Sequence, residues 1–421
     1  MIFSNRHEVE THLAEQADGG VIVEVGVGKG DGLVALLNGT RYGRLLPVYA
    51  VDPYAPYVDK LGGTYGPECK QEAVDQVVGT GLGRLVAFVE EDGVLVGENW
   101  DLPTALVWID VSMEYDGLKC VWDAWADKVM EDGHIAIAGL GYSSLGTARV
   151  MQEAVDSGDF VRVLEEQDRV AVLRRNPRHR RAAFYIVDGE QYADEAAYSA
   201  SSLKEHMPRV ETFLFAVGGT KDRDCIDHVV ALPPRESELW YLDSTRYFNQ
   251  AVGQLHEYNR LLYLDTDTWV SWDCLDMWWL LEQFDVCLGH SAGREAMPSA
   301  IGTPPAFTTL SIGVSLFCNN AKVRATLSDW LAFYEKYAHI YGDNDESPLR
   351  DVLWLNRHGL KMYILPPEYN ARVGFGCWLY GRVRVVHARL PRLRHVAEEL
   401  NEHTVMRMWR PDDGFLWYHQ R

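Results

Sequence analysis

The chain has 421 residues, more than one ordinary hydrophobic core holds, and this length predicts two or three domains. Hydrophobic residues make up 47% and charged residues 24% of it, which is typical of globular rather than disordered proteins. The formal net charge of −21 argues against bulk binding of nucleic acid through the phosphate backbone. No apolar run approaches the ~18 residues of a transmembrane helix, so we expect no membrane span.

The seven cysteines are dispersed and form no CxxC pair. This distribution argues against a zinc ribbon and favours a reducing compartment, so we expect a cytoplasmic protein. The sequence carries no signature of an oligomeric state.

Short apolar runs alternate with helical patterns from Val21 to Leu173. They predict strands at 21–25, 47–51, 85–90, 105–110, 134–138 and 169–174, with amphipathic helices between them. Continuous apolar strands separated by helices are typical of a sheet that is buried on both faces. We therefore predict a largely parallel, doubly wound α/β domain over residues 1–175.

The basic segment RRNPRHRRA interrupts this pattern at 174–182 and predicts a linker, with a solvated turn inside one larger domain as the alternative. The α/β pattern then restarts, less regularly, with strands predicted at 182–187, 211–217, 228–233, 260–265, 284–290, 311–317, 361–365 and 382–387. The longest helical pattern is Lys322–His339. We predict a second α/β domain over residues 176–421, and neither half repeats the other.

The sharpest pattern of the first half is VIVEVGVGKGDG at 21–32, where a strand carrying Glu24 leads into Gly26, Gly28 and Gly30. Glycines at such a turn let backbone N–H groups approach a ligand at a helix N-terminus. The GxGxG spacing differs from the GxGxxG of dinucleotide sites, so NAD-dependent dehydrogenase chemistry is the weaker interpretation. A carboxylate before the first glycine suits a cationic ligand better than a pyrophosphate. The alternative is a glycine-rich turn that binds nothing.

Three further acids, Asp52, Asp92 and Asp110, each follow a predicted strand of this half. Ligands of open α/β sheets bind outside the carboxyl ends of the strands, so we expect these acids and the glycine loop at one edge. Asp52 lies near the offset expected for an acid that binds ribose hydroxyls, and Asp92 can face an adenine. Taken singly, each acid is as readily a helix cap.

These features resemble the class I S-adenosylmethionine-dependent methyltransferases, especially members with an acid–x–x–His–x–Tyr segment after the fourth strand. The resemblance implies an S-adenosylmethionine site and assigns its contacts to Glu24, Gly26, Gly28, Gly30, Asp52 and Asp92, with Asp110 as a catalytic group. Tyr115 matches the segment, but Met113 stands at the histidine position and no Asp follows the fifth strand. The open alternatives are a local base such as Glu114 or His134, or cofactor binding without turnover.

The second half carries Asp265-Thr266-Asp267 at the end of the apolar run RLLYLD. Two carboxylates one residue apart in extended backbone point to the same side and can reach one divalent ion. Such an ion would bridge a diphosphate and neutralise the charge on a leaving nucleotide. The DxD spacings at 222–224 and 343–345 follow no apolar strand. The alternative for Asp265 and Asp267 is a strand-end turn without metal.

With its downstream segments, this motif resembles the GT-A nucleotide-diphospho-sugar glycosyltransferases that carry a DxD motif. The segments are TTLSIGVSLFCNN, GDNDESPLRDVLWLN, LPPEYNAR and VRVVHARL, in the expected order over about 180–400. The resemblance implies Mn²⁺ or Mg²⁺ held by Asp265, Asp267 and His387, with Asp345 or Glu346 facing the reacting sugar. A G-x-x-K-P-W segment is missing after His387, so the stereochemistry stays open. Taken alone, His387 is more readily a structural histidine.

The combined interpretation is a bifunctional enzyme built from a class I methyltransferase fold followed by a GT-A glycosyltransferase fold. It would use a nucleotide-diphospho-sugar donor and a divalent metal, and would O-methylate a glycan or related small-molecule acceptor. One alternative keeps the glycosyltransferase and treats the first half as a degenerate binding module. Another is a non-enzymatic scaffold that retains both folds.

Overall fold

The computed structural model describes residues 3–42, 44–58, 64–111, 114–138, 145–166, 170–291, 297–390, 392–411 and 414–418. The chain divides into two compact units, Met1–Arg178 and His179–Arg421. The division lies a few residues beyond the boundary expected from the basic segment. Among the described helices, none has both the length and the apolar character needed to cross a membrane.

The first unit alternates helices and strands along most of its length. Its helices are α1 Arg6–Gln16, α2 Asp31–Tyr42, α3 Pro67–Gly79, α4 Gly93–Glu98, α5 Tyr115–Trp125 and α6 Leu145–Asp156. Its strands are β1 Val21–Val25, β2 Val48–Val51, β3 Tyr57–Val58, β4 Thr64–Tyr65, β5 Val86–Val89, β6 Thr104–Ile109, β7 Val129–Ala138, β8 Phe160–Glu166 and β9 Val170–Arg175.

Seven of these strands form one mixed sheet in the order β5-β2-β1-β6-β7-β9-β8. The first five are parallel, while β9 pairs antiparallel with both β7 and β8. Every residue of β1 and β6 is buried, as their continuous apolar sequences predict for strands covered on both faces. The chain runs from β1 to β2 and β5 on one side and then to β6 on the other. The strand order therefore reverses between β1 and β6.

The second unit is also mixed α/β. Its strands are β10 Arg181–Val187, β11 Glu211–Val217, β12 His228–Leu232, β13 Arg260–Leu264, β14 Thr268–Val270, β15 Val286–His290, β16 Leu310–Cys318, β17 Met362–Leu365, β18 Cys377–Leu379, β19 Val385–His387, β20 Arg407–Arg410 and β21 Gly414–Tyr418. Its helices are α7 Glu190–His206, α8 Trp240–Gln254, α9 Leu275–Leu280, α10 Ala321–Tyr341, α11 Glu346–Leu355 and α12 Leu393–Asn401.

Its main sheet has seven strands in the order β12-β11-β10-β13-β16-β15-β17, with β16 antiparallel to both of its neighbours. Here the strand order reverses between β10 and β13, which are parallel neighbours. Two smaller sheets accompany it, β14 with β19 and β18 with β20 and β21. The pairing of β14 with β19 places His387 opposite Thr268, one residue after the DxD motif.

Three of the differences from the sequence expectations have a clear physical reason. The helix α1 was not predicted because its sequence is largely polar and its buried face includes Glu10. The amphipathic helix expected between the strands at 105–110 and 134–138 ends at Trp125, since the next strand, β7, already begins at Val129. The strand predicted at 382–387 is confined to Val385–His387, because its partner β14 offers only three residues for pairing.

Candidate functional site

The glycine loop of the first unit lies where the strand order reverses. A Cβ on Gly26 would lie 2.1 Å from the carbonyl oxygen of Asp110, which follows β6, and Gly26 has φ +89°. Gly30, at φ +95°, packs so closely on α3 that a Cβ would lie 2.8 Å from a backbone atom. At Gly28 a Cβ would meet the ring of Tyr65 at 3.2 Å. The loop therefore needs glycine at Gly26 and Gly30 for close backbone packing.

Asp52 joins the end of β2 to this loop. Its Oδ2 accepts hydrogen bonds from the backbone N–H groups of Val27 (2.9 Å) and Gly28 (3.0 Å). Its Oδ1 accepts a hydrogen bond from the backbone N–H of Tyr54 (2.7 Å). Tyr54 has a positive φ of 49°, and its buried hydroxyl has no hydrogen-bond partner among the described residues. Asp52 therefore lies at the expected edge of the sheet, and its carboxylate binds the backbone of the glycine loop.

Asp92 is the N-cap of α4. Its Oδ1 accepts hydrogen bonds from the backbone N–H groups of Val94 at 2.9 Å and Leu95 at 3.3 Å, and the residue is exposed. The helix-cap alternative therefore describes what this side chain does in the structure. A contact with an adenine stays a prediction.

The predicted catalytic groups near β6 are dispersed. Tyr115 donates its hydroxyl to the carboxylate of Glu153 at 3.0 Å on α6. Glu114 is an exposed residue at the start of α5. His134 pairs with Leu106, in the amino-terminal part of β6, so it does not lie at the carboxyl edge where the glycine loop is. Met113 lies outside the described residues.

Two buried carboxylates stand next to the glycine loop. Glu24 on β1 is 2% exposed and Glu10 on α1 is fully buried. Burial, followed by repulsion from Glu10 and Asp110, raises the pKa of Glu24 well above its usual value. The guanidinium of Arg6 donates to Asp110 at 2.7 Å and lies 4.0 Å from Glu10. Sequence reasoning missed Arg6 and Glu10, because a polar helix before the motif carries no signal of its own.

In the second unit, the three predicted metal ligands come together. Asp265 and Asp267 follow β13 and His387 ends β19, and one ligand atom from each lies within 4.8 Å of the others. The Nε2 atom of His387 is 3.3 Å from Asp265 Oδ2 and 3.5 Å from Asp267 Oδ1. Ligand atoms about 3 Å apart suit a metal held at roughly 2.1 Å from each. Two carboxylates and one imidazole are a donor set for Mn²⁺ or Mg²⁺ that leaves other coordination positions open.

The electrostatics of this triad favour a cation. Burial would lower the pKa of His387, but hydrogen bonds and charge attraction from Asp265 and Asp267 raise it to about 9. Burial would raise the pKa of Asp267, but its hydrogen bond with His387 and the charges of His387 and Arg389 lower it. The metal-free triad therefore holds a proton that a divalent ion would displace.

Asn370 orients the histidine. His387 Nδ1 lies 2.9 Å from Asn370 Oδ1, and because an amide oxygen only accepts, the imidazole donates. This leaves the lone pair of Nε2 for a metal. Asn370 is 5% exposed and packs so tightly on Gly289 that a Cβ there would lie 2.3 Å from its amide nitrogen. Asn370 belongs to the LPPEYNAR segment, but its role became visible only in the structure.

Gly313, on β16, leaves room for the triad. A Cβ at this position would lie 2.3 Å from both Asp265 Oδ2 and His387 Cε1. The hydroxyl of Tyr263 donates to the other oxygen of Asp265 at 3.0 Å. The glycine of SIGVSLF therefore lets Asp265 and His387 approach this strand closely.

The two predicted sugar-facing acids lie at the start of α11. Burial and then the charges of Asp265 and Asp345 raise the pKa of Tyr263, whose hydroxyl donates to Asp265. Glu346 is buried, accepts a hydrogen bond from Ser291 at 3.0 Å and lies 3.6 Å from Arg372. The structure gives Glu346 structural partners and leaves the contact of either acid with a sugar as a prediction.

The other two DxD spacings have different surroundings. Asp222 and Asp224 are exposed. Asp343 accepts a hydrogen bond from the backbone N–H of Tyr241 at 2.9 Å, as a structural acid does. Of the three DxD spacings, only the pair Asp265 and Asp267 lies with a histidine at metal-binding distances among the described residues.

A basic segment adjoins the triad in this strongly acidic protein. Residues 382–394 contain five arginines and no acid. Arg389, two residues after His387, is 60% exposed, lies 3.7 Å from Glu195 and stands over the ring of Tyr192 at 5.0 Å. An exposed guanidinium next to a metal site can contact phosphate oxygens. Sequence reasoning treated this segment only as the carrier of the late histidine.

Comparison with solved structures gives matches that cover about the first unit. A Corynebacterium glutamicum protein is 19% identical, covering 41% of this chain and 82% of its own, with a TM-score of 0.34. The O-methyltransferase NovP is 15% identical, and the match covers 41% of this chain and 80% of NovP with a TM-score of 0.34. CalS11, a TDP-rhamnose 3′-O-methyltransferase of calicheamicin biosynthesis, is 18% identical, and the match covers 40% of this chain and 77% of CalS11 with a TM-score of 0.32. No protein-family model and no curated protein matches the sequence. These identities and scores are too low to assign an activity, so the functional argument depends on the two sites themselves.

We expect Gly313→Ala to abolish Mn²⁺ binding, because the added Cβ would occupy the space between Asp265 and His387. Calorimetric titration with Mn²⁺ measures the affinity. The matched control is Gly253→Ala, since a Cβ on Gly253 meets nothing within 4 Å and should leave Mn²⁺ affinity unchanged. Equal Mn²⁺ affinity in both variants would show that the metal binds elsewhere.

We expect Asn370→Ala to weaken Mn²⁺ binding by about 10–100-fold, because the imidazole of His387 would lose the partner that fixes its orientation and tautomer. Asn370→Asp keeps an acceptor oxygen and should recover much of the affinity. Circular dichroism and calorimetry on both variants separate this effect from a loss of folding. An unchanged Mn²⁺ affinity in a folded Asn370→Ala protein would contradict the orienting role.

Proposed function

We propose that the second unit is a metal-dependent glycosyltransferase that uses a nucleotide-diphospho-sugar donor. The observation that carries this proposal is the meeting of Asp265, Asp267 and His387 at the carboxyl edge where the strand order reverses. Open α/β sheets bind ligands at this position. A bound divalent ion would neutralise the charge that develops on the leaving nucleotide.

The residues around the triad supply the remaining functions of such a site. Arg389 is exposed and close enough to influence Asp267, so it would contact the phosphate oxygens of the donor. Asp345 would face the reacting sugar as a base or as an electrostatic stabiliser. Glu346 contacts Arg372 and Ser291, and through these contacts it would stabilise one side of the same site.

We further propose that the first unit binds S-adenosylmethionine and O-methylates a glycan or related small acceptor. The supporting observation is the negative charge of the site. Four carboxylates surround the glycine loop, while the guanidinium of Arg6 contributes one positive charge. The carboxylates are those of Glu10, Glu24, Asp52 and Asp110. Such a field repels a pyrophosphate and attracts a sulfonium and its ammonium group. Glu24, Gly26, Gly28, Gly30, Asp52 and Asp92 would form the cofactor site, and Asp110 would lie next to the transferred methyl group. In the class proposed here, methyl transfer depends mainly on positioning the acceptor in line with the sulfonium.

The glycosyltransferase proposal is tested by thermal-shift titration with UDP-, GDP- and TDP-sugars, with and without Mn²⁺. A ligand that binds the native state raises the melting temperature by mass action. We expect one nucleotide class to shift the transition only when Mn²⁺ is present, and Asp267→Asn to lose this shift because a metal ligand is removed. Asp224→Asn, in the exposed DxD spacing, is the control that should keep it. A metal-independent shift, or none, would contradict the proposal.

The methyltransferase proposal predicts opposite effects of Glu24→Gln on stability and on binding. The buried carboxylate with a raised pKa destabilises the ligand-free fold near neutral pH, so the neutral amide should raise the melting temperature. The same change removes a charge that faces the cofactor and should weaken S-adenosylmethionine binding. Glu98→Gln, at an exposed position, should change neither quantity. Calorimetry and thermal unfolding measure both.

The two alternatives lead to different results in these experiments. A degenerate first unit would bind S-adenosylmethionine without transferring methyl groups to any glycan acceptor. A scaffold would show neither the Mn²⁺-dependent nucleotide shift nor cofactor binding. The cytoplasmic location stays a prediction.

A further inference from the structure

A row of polar side chains on α7 contacts the segment that carries the DxD motif. The row consists of Glu195, Ser199 and Ser202, whose spacing places them on one face of the helix. Ser199 and Ser202 are fully buried, and Ser202 Oγ accepts a hydrogen bond from the backbone N–H of Val270 at 2.9 Å. This polar face of α7 therefore lies against β14, which follows the motif.

The other two members of the row contact the motif itself and the residue after it. The hydroxyl of Thr266, the middle residue of the motif, donates to Glu195 Oε2 at 3.0 Å. The hydroxyl of Thr268 donates to the carbonyl oxygen of Asp265 at 2.8 Å, so it accepts from Ser199 at 2.7 Å. The DxD turn is thus held by side chains of α7, which precedes it by about 60 residues in the chain.

Glu195 is the charged member of this row, and it also faces Arg389. The Oε2 atom that accepts from Thr266 lies 3.7 Å from the guanidinium of Arg389. The same guanidinium stands 5.0 Å above the ring of Tyr192, one turn earlier on α7. Because Arg389 is 60% exposed, these two contacts are what restrict its long side chain.

The backbone fixes the other end of the Arg389 side chain. The N–H of Ala388 donates to the carbonyl oxygen of Asp267 at 3.0 Å, directly after the pairing of β19 with β14. The Cα atom of Arg389 is therefore held next to the second acid of the motif, while α7 directs the guanidinium. A side chain that is already held in place loses less conformational entropy when it binds a ligand.

We propose that Glu195 is a positioning residue, which holds the guanidinium of Arg389 for contact with the diphosphate and ties it to the DxD turn through Thr266. This inference rests on the proposed glycosyltransferase function of the second unit. Glu195 does not belong to the group of metal-binding atoms, so it acts through Arg389 and not on the metal. It adds a residue of α7 to a site whose other residues follow the strands of the sheet.

The test separates metal binding from diphosphate binding by calorimetric titration of the full chain, first with Mn²⁺ alone and then with pyrophosphate at saturating Mn²⁺. We expect Glu195→Gln to weaken pyrophosphate binding about 3- to 5-fold, because the amide still accepts from Thr266 but no longer attracts Arg389. The affinity for Mn²⁺ alone should stay close to that of the unchanged chain. The loss of charge by itself predicts the opposite sign, since removing a carboxylate near a bound anion strengthens its binding. Glu205→Gln, an exposed position on the same helix, is the matched control that should change neither affinity.

A double-mutant cycle with Arg389→Gln identifies the route of the effect. Arg389→Gln should itself weaken pyrophosphate binding, and Glu195→Gln should cause no further loss in that background. A loss of the same size in both backgrounds would overturn the inference, because the effect would then not pass through Arg389. Circular dichroism confirms that each variant is folded.

Failure of this inference can be told apart from failure of the proposed function. Unchanged or tighter pyrophosphate binding by a folded Glu195→Gln variant would overturn the positioning role, while the glycosyltransferase proposal would stand. If the unchanged chain does not bind pyrophosphate in the presence of Mn²⁺, the diphosphate site is absent. The glycosyltransferase proposal then fails, and this inference fails with it.

Discussion

Acids gathered at the carboxyl ends of apolar strands are the constraint on which both candidate sites depend. Carboxylates this close repel one another and need a compensating partner. In the second unit, His387 lies between Asp265 and Asp267 and holds a proton there because the two acids raise its pKa to about 9. In the first unit, Arg6 binds Asp110 at 2.7 Å and lies 4.0 Å from Glu10, whose other carboxylate oxygen is 2.7 Å from His7.

The two sites satisfy this constraint with different degrees of rigidity. In the second unit, Asn370 contacts the Nδ1 atom of His387, and Tyr263 donates a hydrogen bond to an oxygen of Asp265. Gly313 has no side chain, which leaves room for Asp265 and His387. Asn370 and Tyr263 thus set the directions of His387 and Asp265. In the first unit, Asp52 shapes the glycine loop through two backbone N–H groups, but Glu10 and Glu24 have open hydrogen-bonding capacity.

The sheet topology explains why both sites form where they do. In each unit the chain builds one side of the sheet and then crosses to the other, between β1 and β6 and again between β10 and β13. Loops that follow the two central strands diverge at this point and leave a crevice lined by the residues after each strand. Apolar strands fill the core, so polar residues that follow them collect at one edge. A net charge of −21 is therefore compatible with local sites for cationic and metal-bridged ligands.

The sequence by itself determined the central strands, the glycine loop and the DxD motif, because continuous apolar runs and glycine spacing depend on local neighbours. It placed Asp265, Asp267 and His387 together only through a resemblance, since 120 residues separate Asp267 from His387 along the chain. The tertiary structure decided that β14 pairs with β19 and so brings the histidine to the motif. It also decided that Asn370 contacts His387 and that Glu10 is buried, because a buried partner on a distant element leaves no periodic or compositional pattern in the sequence.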